Sequence, residues 1–409
     1  MKTIEKTTCT VLSAGGVTTP KGFQAAGLHA GIKKKKMDLG LLVSQVPAAA
    51  AGVFTTNLVR AACVTQNEAQ LLAVPSLQAI IVNSGNANAC TGAQGDADAK
   101  AMRAETAKAL GLADDAVAIA STGVIGVPLP MEALTTGIQQ AAKSLTVAGG
   151  DDFSEAMLTT DTGKKEIAVQ LTLDGVTVTI GGAAKGSGMI HPNMATMLAF
   201  VTTDAAVEPA ALKRLLSRTT DQTYNRITVD GDTSTNDMVL VMANGMAGND
   251  PLQEQHPQWA EFAEAFRLVS EKLAKDIARD GEGATKLLEV AVNSAPTEEI
   301  ASVIAKSVIG SSLVKTAVYG ADANWGRILC AAGYSGAQFD PNLLDIFIGS
   351  VQVAAKGMGI PFDEEAAKAY LLTDNVVLTV NLNQGEASAS AYGCDLTYDY
   401  VRINASYRT

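Results

Sequence analysis

Histidine is nearly absent from this chain: 409 residues contain three, His29, His191 and His256. A Ser-His-Asp relay would have to use one of them, and no GxSxG nucleophile elbow accompanies any serine. Cysteine is also sparse. Cys9, Cys63, Cys90, Cys330 and Cys394 are odd in number, widely spaced and without a CxxC pair. That argues against a disulfide frame or a zinc site and points to reduced thiols in a cytosol. Aromatics are 5% of the residues, while glycine and alanine are abundant, so backbones are expected to pack closely. Basic excess is missing: the net charge of −11 speaks against nucleic acid or an anionic membrane as a partner. The single basic block, Lys33–Lys36, reads as a solvated loop, because a nucleic-acid footprint needs a wider face. No apolar run is long enough to span a bilayer, and the N-terminal MKTIEKTTCTVLSAGG lacks the apolar stretch of a signal peptide, so a cytoplasmic protein is expected.

At this length two or three packed units are expected. LQAIIV (77–82) reads as a buried strand ending in the turn-rich NSGNANACTG, and a helix at about 97–110 is stopped by Gly111. AVAIAS (116–121) is a second buried strand that runs into Thr122-Gly123, and Pro130 starts a helix reaching about residue 144. Two alternating runs around Asp174-Gly175 (167–180) predict a hairpin with a two-residue turn. A strand follows at TMLAFVTTD, then helices at 208–220 and 257–279. In the second of these Trp259, Phe262, Phe266, Val269, Leu273 and Ile277 recur at three- and four-residue steps. Further strands are read at 287–293, 376–382 and 388–401, with a helix near 363–372. The pattern is α+β with many antiparallel strands.

Three motifs invite chemistry that their context does not support. DGDTSTND (230–237) resembles a calcium loop but lacks glycine at the sixth place and glutamate at the twelfth, so it reads as a polar turn that caps its own backbone. Ser312-Leu313-Val314-Lys315 fits SxxK without its companion SDN and KTG motifs. The glycines at 181, 182, 186 and 188 form no GxxxxGK[ST] loop. No His or Cys cluster has metal-ligand spacing, so no metal is expected.

KGSGMIHPNMATMLAF (185–200) is the stretch that stands out. Glycines lead through His-Pro-Asn to Ala195, Thr196 and an apolar strand. A threonine hydroxyl needs a base beside it, and its own α-amine would serve if the preceding peptide bond were cut. An α-amine titrates at about 7.7–8.0, so part of it is neutral near pH 7. The threonine could make the cut itself by attacking the Ala195 carbonyl, water then releasing the ester. Small Ala195 with Gly186 and Gly188 would let the chain bend tightly. Threonine at the start of a strand is also ordinary, and the residues alone leave both readings standing.

MIHPNMATMLAF closely resembles the self-cleavage segment of the ornithine acetyltransferase family, also called glutamate N-acetyltransferase. The resemblance extends in order through GGVTTPKGFQAAGLHAGIK (15–33), NSGNANACTG (83–92), STGVIG (121–126), DGDTSTND, GEGATK (281–286), GADANWGRI (320–328) and YVRINASYRT (400–409). It implies a layered α-β-β-α sandwich with an additional C-terminal α+β unit at about 285–400. It implies cleavage between Ala195 and Thr196, giving an alpha chain 1–195 and a beta chain 196–409 assembled as a heterotetramer. Thr196 is then the nucleophile, and Thr122 and Gly123 form the oxyanion hole. Thr159, Lys185, Thr196, Glu282, Asn404 and Thr409 match the substrate-contact positions. The implied reaction passes the acetyl group of N2-acetylornithine through Thr196 to glutamate in arginine biosynthesis, with acetyl-CoA as a further donor in some members and no resident cofactor. A related N-terminal-nucleophile aminopeptidase or amidohydrolase is the alternative. Chemically, Lys185 suits the substrate carboxylate and Glu282 its side-chain ammonium.

Overall fold

A computed structural model describes residues 9–191 and 197–405. They group into two compact units. The first takes in the chain through Gly186, residues 197–225 and Thr233–Leu273. The second takes in Ser187–His191, Arg226–Asp232 and residues 274–405. The strands in chain order are β1 (Thr10–Val11), β2 (Phe23–Leu28), β3 (Leu39–Phe54), β4 (Ser76–Asn86), β5 (Val117–Val124), β6 (Lys165–Leu173), β7 (Val176–Lys185), β8 (Leu198–Thr203), β9 (Ile227–Thr228), β10 (Met238–Ala243), β11 (Leu287–Ala295), β12 (Asp345–Ile348), β13 (Val351–Ala355), β14 (Met358–Gly359), β15 (Asn375–Asn381) and β16 (Ala387–Cys394). The helices are α1 (Ala62–Ala73), α2 (Gly92–Leu110), α3 (Met131–Lys143), α4 (Gly150–Met157), α5 (Pro209–Gln222), α6 (Trp259–Arg279), α7 (Glu298–Gly310), α8 (Ser312–Tyr319), α9 (Trp325–Gly333), α10 (Glu364–Leu371) and α11 (Tyr398–Asn404).

The first unit is built on one continuous ladder, β1-β6-β7-β8-β10-β3-β4-β5, with β2 also on β3. Its turning point is β3. Residues Leu39–Ser44 pair with β2, whereas Ala49–Phe54 pair with β10. Between them the register with β4 jumps from Val43↔Ala79 to Ala48↔Leu77. Pro47 lies in that exposed bulge. Proline cannot donate to a ladder, so a bulge is where a strand tolerates it, and a bulge bends the strand. The bend lets the two halves of the ladder share a core. Leu198 and Phe200 of β8 and Met238, Leu240 and Met242 of β10 join the same buried cluster as Leu39, Leu41 and Ile80. Phe153 of α4 meets Phe200 edge-on, with ring centroids 5.5 Å apart.

The opposite face of β7 and β8 is covered by α6. A Cβ at Gly182 would lie 2.8 Å from Leu273 and 3.1 Å from Val269 of that helix. Helices α1, α2 and α3 pack on β3 and β5. The result is the expected α-β-β-α layering within an α+β fold. The stripe read on α6 is the buried one: Phe262, Phe266, Val269, Leu273 and Ile277 are fully covered. The hairpin between β6 and β7 turns at Asp174 (φ 50°) and Gly175 (φ 77°), the two positive φ values of a type I′ turn.

The second unit is a seven-stranded sheet in the order β14-β13-β12-β15-β11-β16-β9. Helix α7, capped by Thr297 Oγ1 on the Ile300 N–H, lays Ile304, Ala305 and Val308 into its core with Val290 and Val292 of β11. No single helix among the described residues is long and apolar enough to cross a membrane. Helices α7 and α8 reach that length only together, across a 59° bend.

Several expected boundaries move. The strand at 77–82 continues through Asn86, because 83–86 keep pairing with the end of β5. The helix that Gly111 stops (φ 68°) starts at Gly92 rather than near 97. The strand expected at 388–401 ends at Cys394. Residues 398–401 belong to α11, whose N-cap Thr397 accepts the Asp399 N–H; a hydroxyl in that place breaks the alternation that Tyr398 and Tyr400 mimic. The proposed scission point, Ala195–Thr196, lies outside the described residues, and each compact unit draws residues from both sides of it.

Because α6 supplies the layer over β7 and β8, Phe266→Ala should lower unfolding stability in urea by about 3–5 kcal/mol. Leu58→Ala, at a residue 99% exposed, should change it by less than about 0.5 kcal/mol.

Candidate active site

In the first unit, β5 carries Thr122 and Gly123 to the end of its parallel ladder with β4, where they face Ser84 and Gly85. The pairing slips there at Asn86. Gly123 has φ +132°, and a Cβ on it would lie 2.4 Å from the Gly85 carbonyl carbon. Only glycine fits. Three polar segments far apart in sequence lock this turn. Ser121 Oγ donates to Asn83 Oδ1 (2.6 Å), and Asn83 Nδ2 donates to the Asn86 carbonyl (2.9 Å). Asn86 Nδ2 donates to the carbonyls of Val127 (3.1 Å) and Pro128 (2.9 Å). Asn236 Nδ2 donates to the carbonyls of Ala87 (2.5 Å) and Ser121 (2.8 Å). The Thr122 hydroxyl has no hydrogen-bond partner among the described residues.

The stretch 230–237 is therefore more than a self-capping turn. Asp230 does accept the Asp232 N–H, but it also accepts those of Met189 (2.7 Å) and Ile190 (2.8 Å), while Asn236 braces the Thr122–Gly123 turn. Asp230 and Asn236 thus tie this stretch to backbone outside it.

Beside α4 in the same unit lies a charge cluster. The Asp161 side chain is fully buried between Lys165 and Lys185. Its Oδ1 accepts the Gly186 N–H (2.6 Å) and Lys165 Nζ (2.8 Å). Its Oδ2 accepts the Thr159 N–H (3.0 Å) and lies 3.5 Å from the Thr159 hydroxyl. Lys185 Nζ stands 3.9 Å from Oδ2, beyond hydrogen-bond distance, and has no hydrogen bond among the described residues. Burial pushes the Asp161 pKa up, but the two ammonium groups and the donated bonds outweigh it and hold the carboxylate well below its usual range. Thr159 and Lys185, two of the expected substrate contacts, are thus brought together by a carboxylate that the sequence reading passed over.

In the second unit, Glu282 and Asn404 meet. Asn404 Nδ2 donates to Glu282 Oε2 (2.7 Å), and the Glu282 N–H donates to the Ser187 carbonyl (2.8 Å). A Cβ at Gly188 would lie 2.4–2.5 Å from the Glu282 carboxyl group. Gly188, read above as flexible backbone, is thus also where that carboxylate closes onto the chain. The loop around Glu282 is tied down by Asp395, which accepts the N–H groups of Thr285 (2.8 Å) and Lys286 (3.0 Å), and by Thr397 Oγ1, which donates to the Gly283 carbonyl (2.8 Å). Oε1 of Glu282 has no hydrogen-bond partner among the described residues. Ala195, Thr196 and Thr409 lie outside the described residues.

The remaining candidates have local explanations. His29 Nδ1 lies 2.9 Å from the Lys36 carbonyl, His191 Nδ1 lies 3.0 Å from Thr228 Oγ1, and His256 Nδ1 accepts the Gln258 N–H. Burial, with Lys306 next, lowers the His191 pKa. Lys315 of the SxxK match sits on the Cys394 carbonyl, with its Nζ 3.6 Å from Cys394 Sγ. All five cysteines are unpaired. No cluster of three or more His, Cys, Asp or Glu side chains among the described residues could hold a metal ion. The basic block is only partly solvated. Lys34–Lys36 are exposed, but Lys33 is half-buried and donates to the Leu158 carbonyl (2.9 Å). Asp38 folds that loop by accepting the N–H groups of Ala30, Gly31, Ile32 and Lys33. Burial lowers the Lys33 pKa to about 8 against the pull of Asp38.

The layered sandwich defines the class of the protein: an α+β enzyme with buried polar and charged constellations at its strand ends. The chain belongs to the ArgJ family, whose sequence profile matches residues 24–409. It is 57% identical over 400 residues to the arginine biosynthesis bifunctional protein ArgJ of Geobacillus kaustophilus, covering 98% of each chain. It is 57% identical over 399 residues to the protein of the same name from Symbiobacterium thermophilum, covering 97% of this chain and 99% of that one. A solved ArgJ chain from Bacillus halodurans is 56% identical, with a TM-score of 0.51; it covers 52% of this chain and aligns over 100% of its own length.

Two substitutions test this geometry. Gly123→Ala must move the Gly85 backbone or abandon φ +132°, so it should lower stability by about 1–3 kcal/mol in a denaturant titration. For Lys33 the sign follows from proton binding. The unfolded chain holds this proton up to about its ordinary value of 10.5, whereas the folded chain releases it near 8. Between these values the unfolded state binds more protons, so the contribution of Lys33 to stability rises with pH. The melting temperature of Lys33→Met relative to the wild type should therefore be highest at pH 7 and fall by pH 10. A constant difference would remove Lys33 from the titrating groups.

Proposed function

We infer that this enzyme transfers the acetyl group of N2-acetylornithine to L-glutamate in arginine biosynthesis, giving ornithine and N-acetylglutamate. The observation that carries the reading is the convergence of segments 83–86, 121–123 and 236 on one strand-end turn, since these are parts of the segments that match the family. Near-complete alignment with proteins named for arginine biosynthesis supports it.

The nucleophile is Thr196. Its hydroxyl attacks the Ala195 carbonyl, the peptide nitrogen leaves as the new α-amine, and water splits the ester. The products are chains 1–195 and 196–409. A solved relative whose whole chain covers about half of this one supports such a division. The freed α-amine, with a pKa of about 7.7–8.0, takes the hydroxyl proton as Thr196 attacks the acetyl carbonyl. Thr122 and Gly123 donate to the oxyanion, each such bond contributing about 3–4 kcal/mol in the transition state. Ornithine departs with the proton, and the neutral α-amine of glutamate then attacks the acetyl-threonine ester.

Lys185, buried and without a hydrogen bond from its ammonium to the described residues, receives the substrate carboxylate, helped by Thr159. Glu282, steadied by Asn404, pairs with the ornithine ammonium. Thr409 completes the substrate contacts. No resident cofactor is needed. Acetyl-CoA is proposed as a second acetyl donor to glutamate; the relatives' names call them bifunctional without saying what the second activity is. The active form is a heterotetramer of two alpha and two beta chains in the cytoplasm.

Denaturing electrophoresis should show fragments of 195 and 214 residues, and Thr196→Ala should remain whole and lose at least about 1000-fold in transfer. Intact mass after adding acetylornithine should place one acetyl group on the second fragment. Release of acetate in place of N-acetylglutamate would instead identify a hydrolase.

A further inference from the structure

We propose that Lys33 is a positioning residue: its stem backs the strand-end turn that carries Gly123, and its ammonium holds the peptide that carries Thr159, so one side chain keeps both parts of the proposed acyl site in place. The inference rests on the proposed acetyl transfer and concerns a residue with no part in it so far.

Both ends of Lys33 are fixed. Its N–H donates to Asp38 Oδ2 (2.8 Å), and the Asp38 carbonyl accepts the Ser84 N–H (2.9 Å), which ties the root of the side chain to β4. Its Nζ donates to the Leu158 carbonyl (2.9 Å). That carbonyl belongs to the peptide group whose N–H, on Thr159, donates to Asp161 Oδ2 (3.0 Å). One peptide is therefore gripped on both sides, by an ammonium on its oxygen and a carboxylate on its nitrogen. A carbonyl that accepts from a cation makes its own N–H the stronger donor, so the two bonds reinforce each other. The orientation of Thr159 follows from that peptide.

Between its ends the side chain runs over Gly85. A Cβ there would lie 2.7 Å from Lys33 Cγ and 3.6 Å from its Cδ. Gly123 in turn comes so close to Gly85 that its own Cβ would lie 2.4 Å from the Gly85 carbonyl carbon. Lys33, Gly85 and Gly123 thus pack in series. The neighbouring lysines show that this arrangement is not the default, since Lys34–Lys36 stay in solvent. Burial lowers the Lys33 pKa to about 8, so at neutral pH its charge is held against desolvation. An apolar stem would cover Gly85 without that penalty. The ammonium is needed only for the Leu158 carbonyl.

Substitution separates the stem from the head. Lys33→Met keeps the stem and removes the donor, and Lys33→Ala removes both. With activity counted per cleaved chain, Lys33→Met should raise KM for acetylornithine about fivefold and leave kcat within about twofold of wild type. Lys33→Ala should show the same rise in KM and also lower kcat about tenfold, because the turn that carries Gly123 loses its backing. A merely structural role predicts a changed melting temperature with both constants as in wild type. That result, or equal loss of kcat in the two variants, overturns the proposal. If Lys33→Ala fails to fold, Lys33→Met decides alone, with unchanged KM the overturning result. Hydrogen exchange at the Thr159 amide reads the grip without turnover: exchange about tenfold faster in Lys33→Met is expected, and equal exchange overturns the proposal. A wild type that transfers no acetyl group to glutamate contradicts the functional reading separately, and the exchange measurement still tests the grip.

Discussion

One buried carboxylate, shared between two ammonium groups and two backbone N–H groups, is the interaction on which the polar cluster of the first unit depends. Removing a carboxylate from water is costly unless cations and donors replace the lost hydration. Asp161 has both, and its lowered pKa records the balance. Because its bonds go to Thr159, Lys165 and Gly186, the loop after α4 is tied to the end of β7. The ammonium of Lys185 makes no hydrogen bond to the described residues and is the group proposed to meet the substrate carboxylate.

The same logic recurs at the strand-end turn. Buried amides of Asn83, Asn86 and Asn236 meet backbone carbonyls around and just beyond the point where the pairing of β4 and β5 slips. A buried polar group is stable only when satisfied, so each asparagine fixes a backbone path. The price of that rigidity is paid by Gly123, whose φ no side chain tolerates. In the second unit Asp395 and Thr397 hold the Glu282 loop in a comparable way, leaving Asn404 to orient the carboxylate. The bend in β3 at Pro47 makes the layered core that supports the first two arrangements.

Periodic elements were legible from residues alone. The stripe on α6, the Asp174-Gly175 turn and the stop at Gly111 follow from local rules, because helix period, positive φ and left-handed caps are written in a few neighbouring residues. The end of β16 was not legible: Tyr398 and Tyr400 alternate like a strand, and the capping bond of Thr397 overrides them. Thr122, Gly123, Lys185 and Glu282 were reached through motif resemblance. Asp161 and Lys165 were missed because their role arises from burial and from contacts that no spacing encodes. Lys33 was misread for a related reason: a run of four lysines reads as solvated, yet Asp38 curls the loop so that the first of them turns inward.

In the proposed reaction these arrangements serve one chemical idea, an acetyl group held covalently between two amino-acid partners. Isotope exchange tests it most directly. Labelled ornithine, incubated with the enzyme and unlabelled acetylornithine in the absence of glutamate, should appear in acetylornithine, because a resting acetyl-enzyme can return its group to ornithine. If the label enters acetylornithine only when glutamate is present, the acetyl group passes directly between substrates, and the covalent mechanism is wrong.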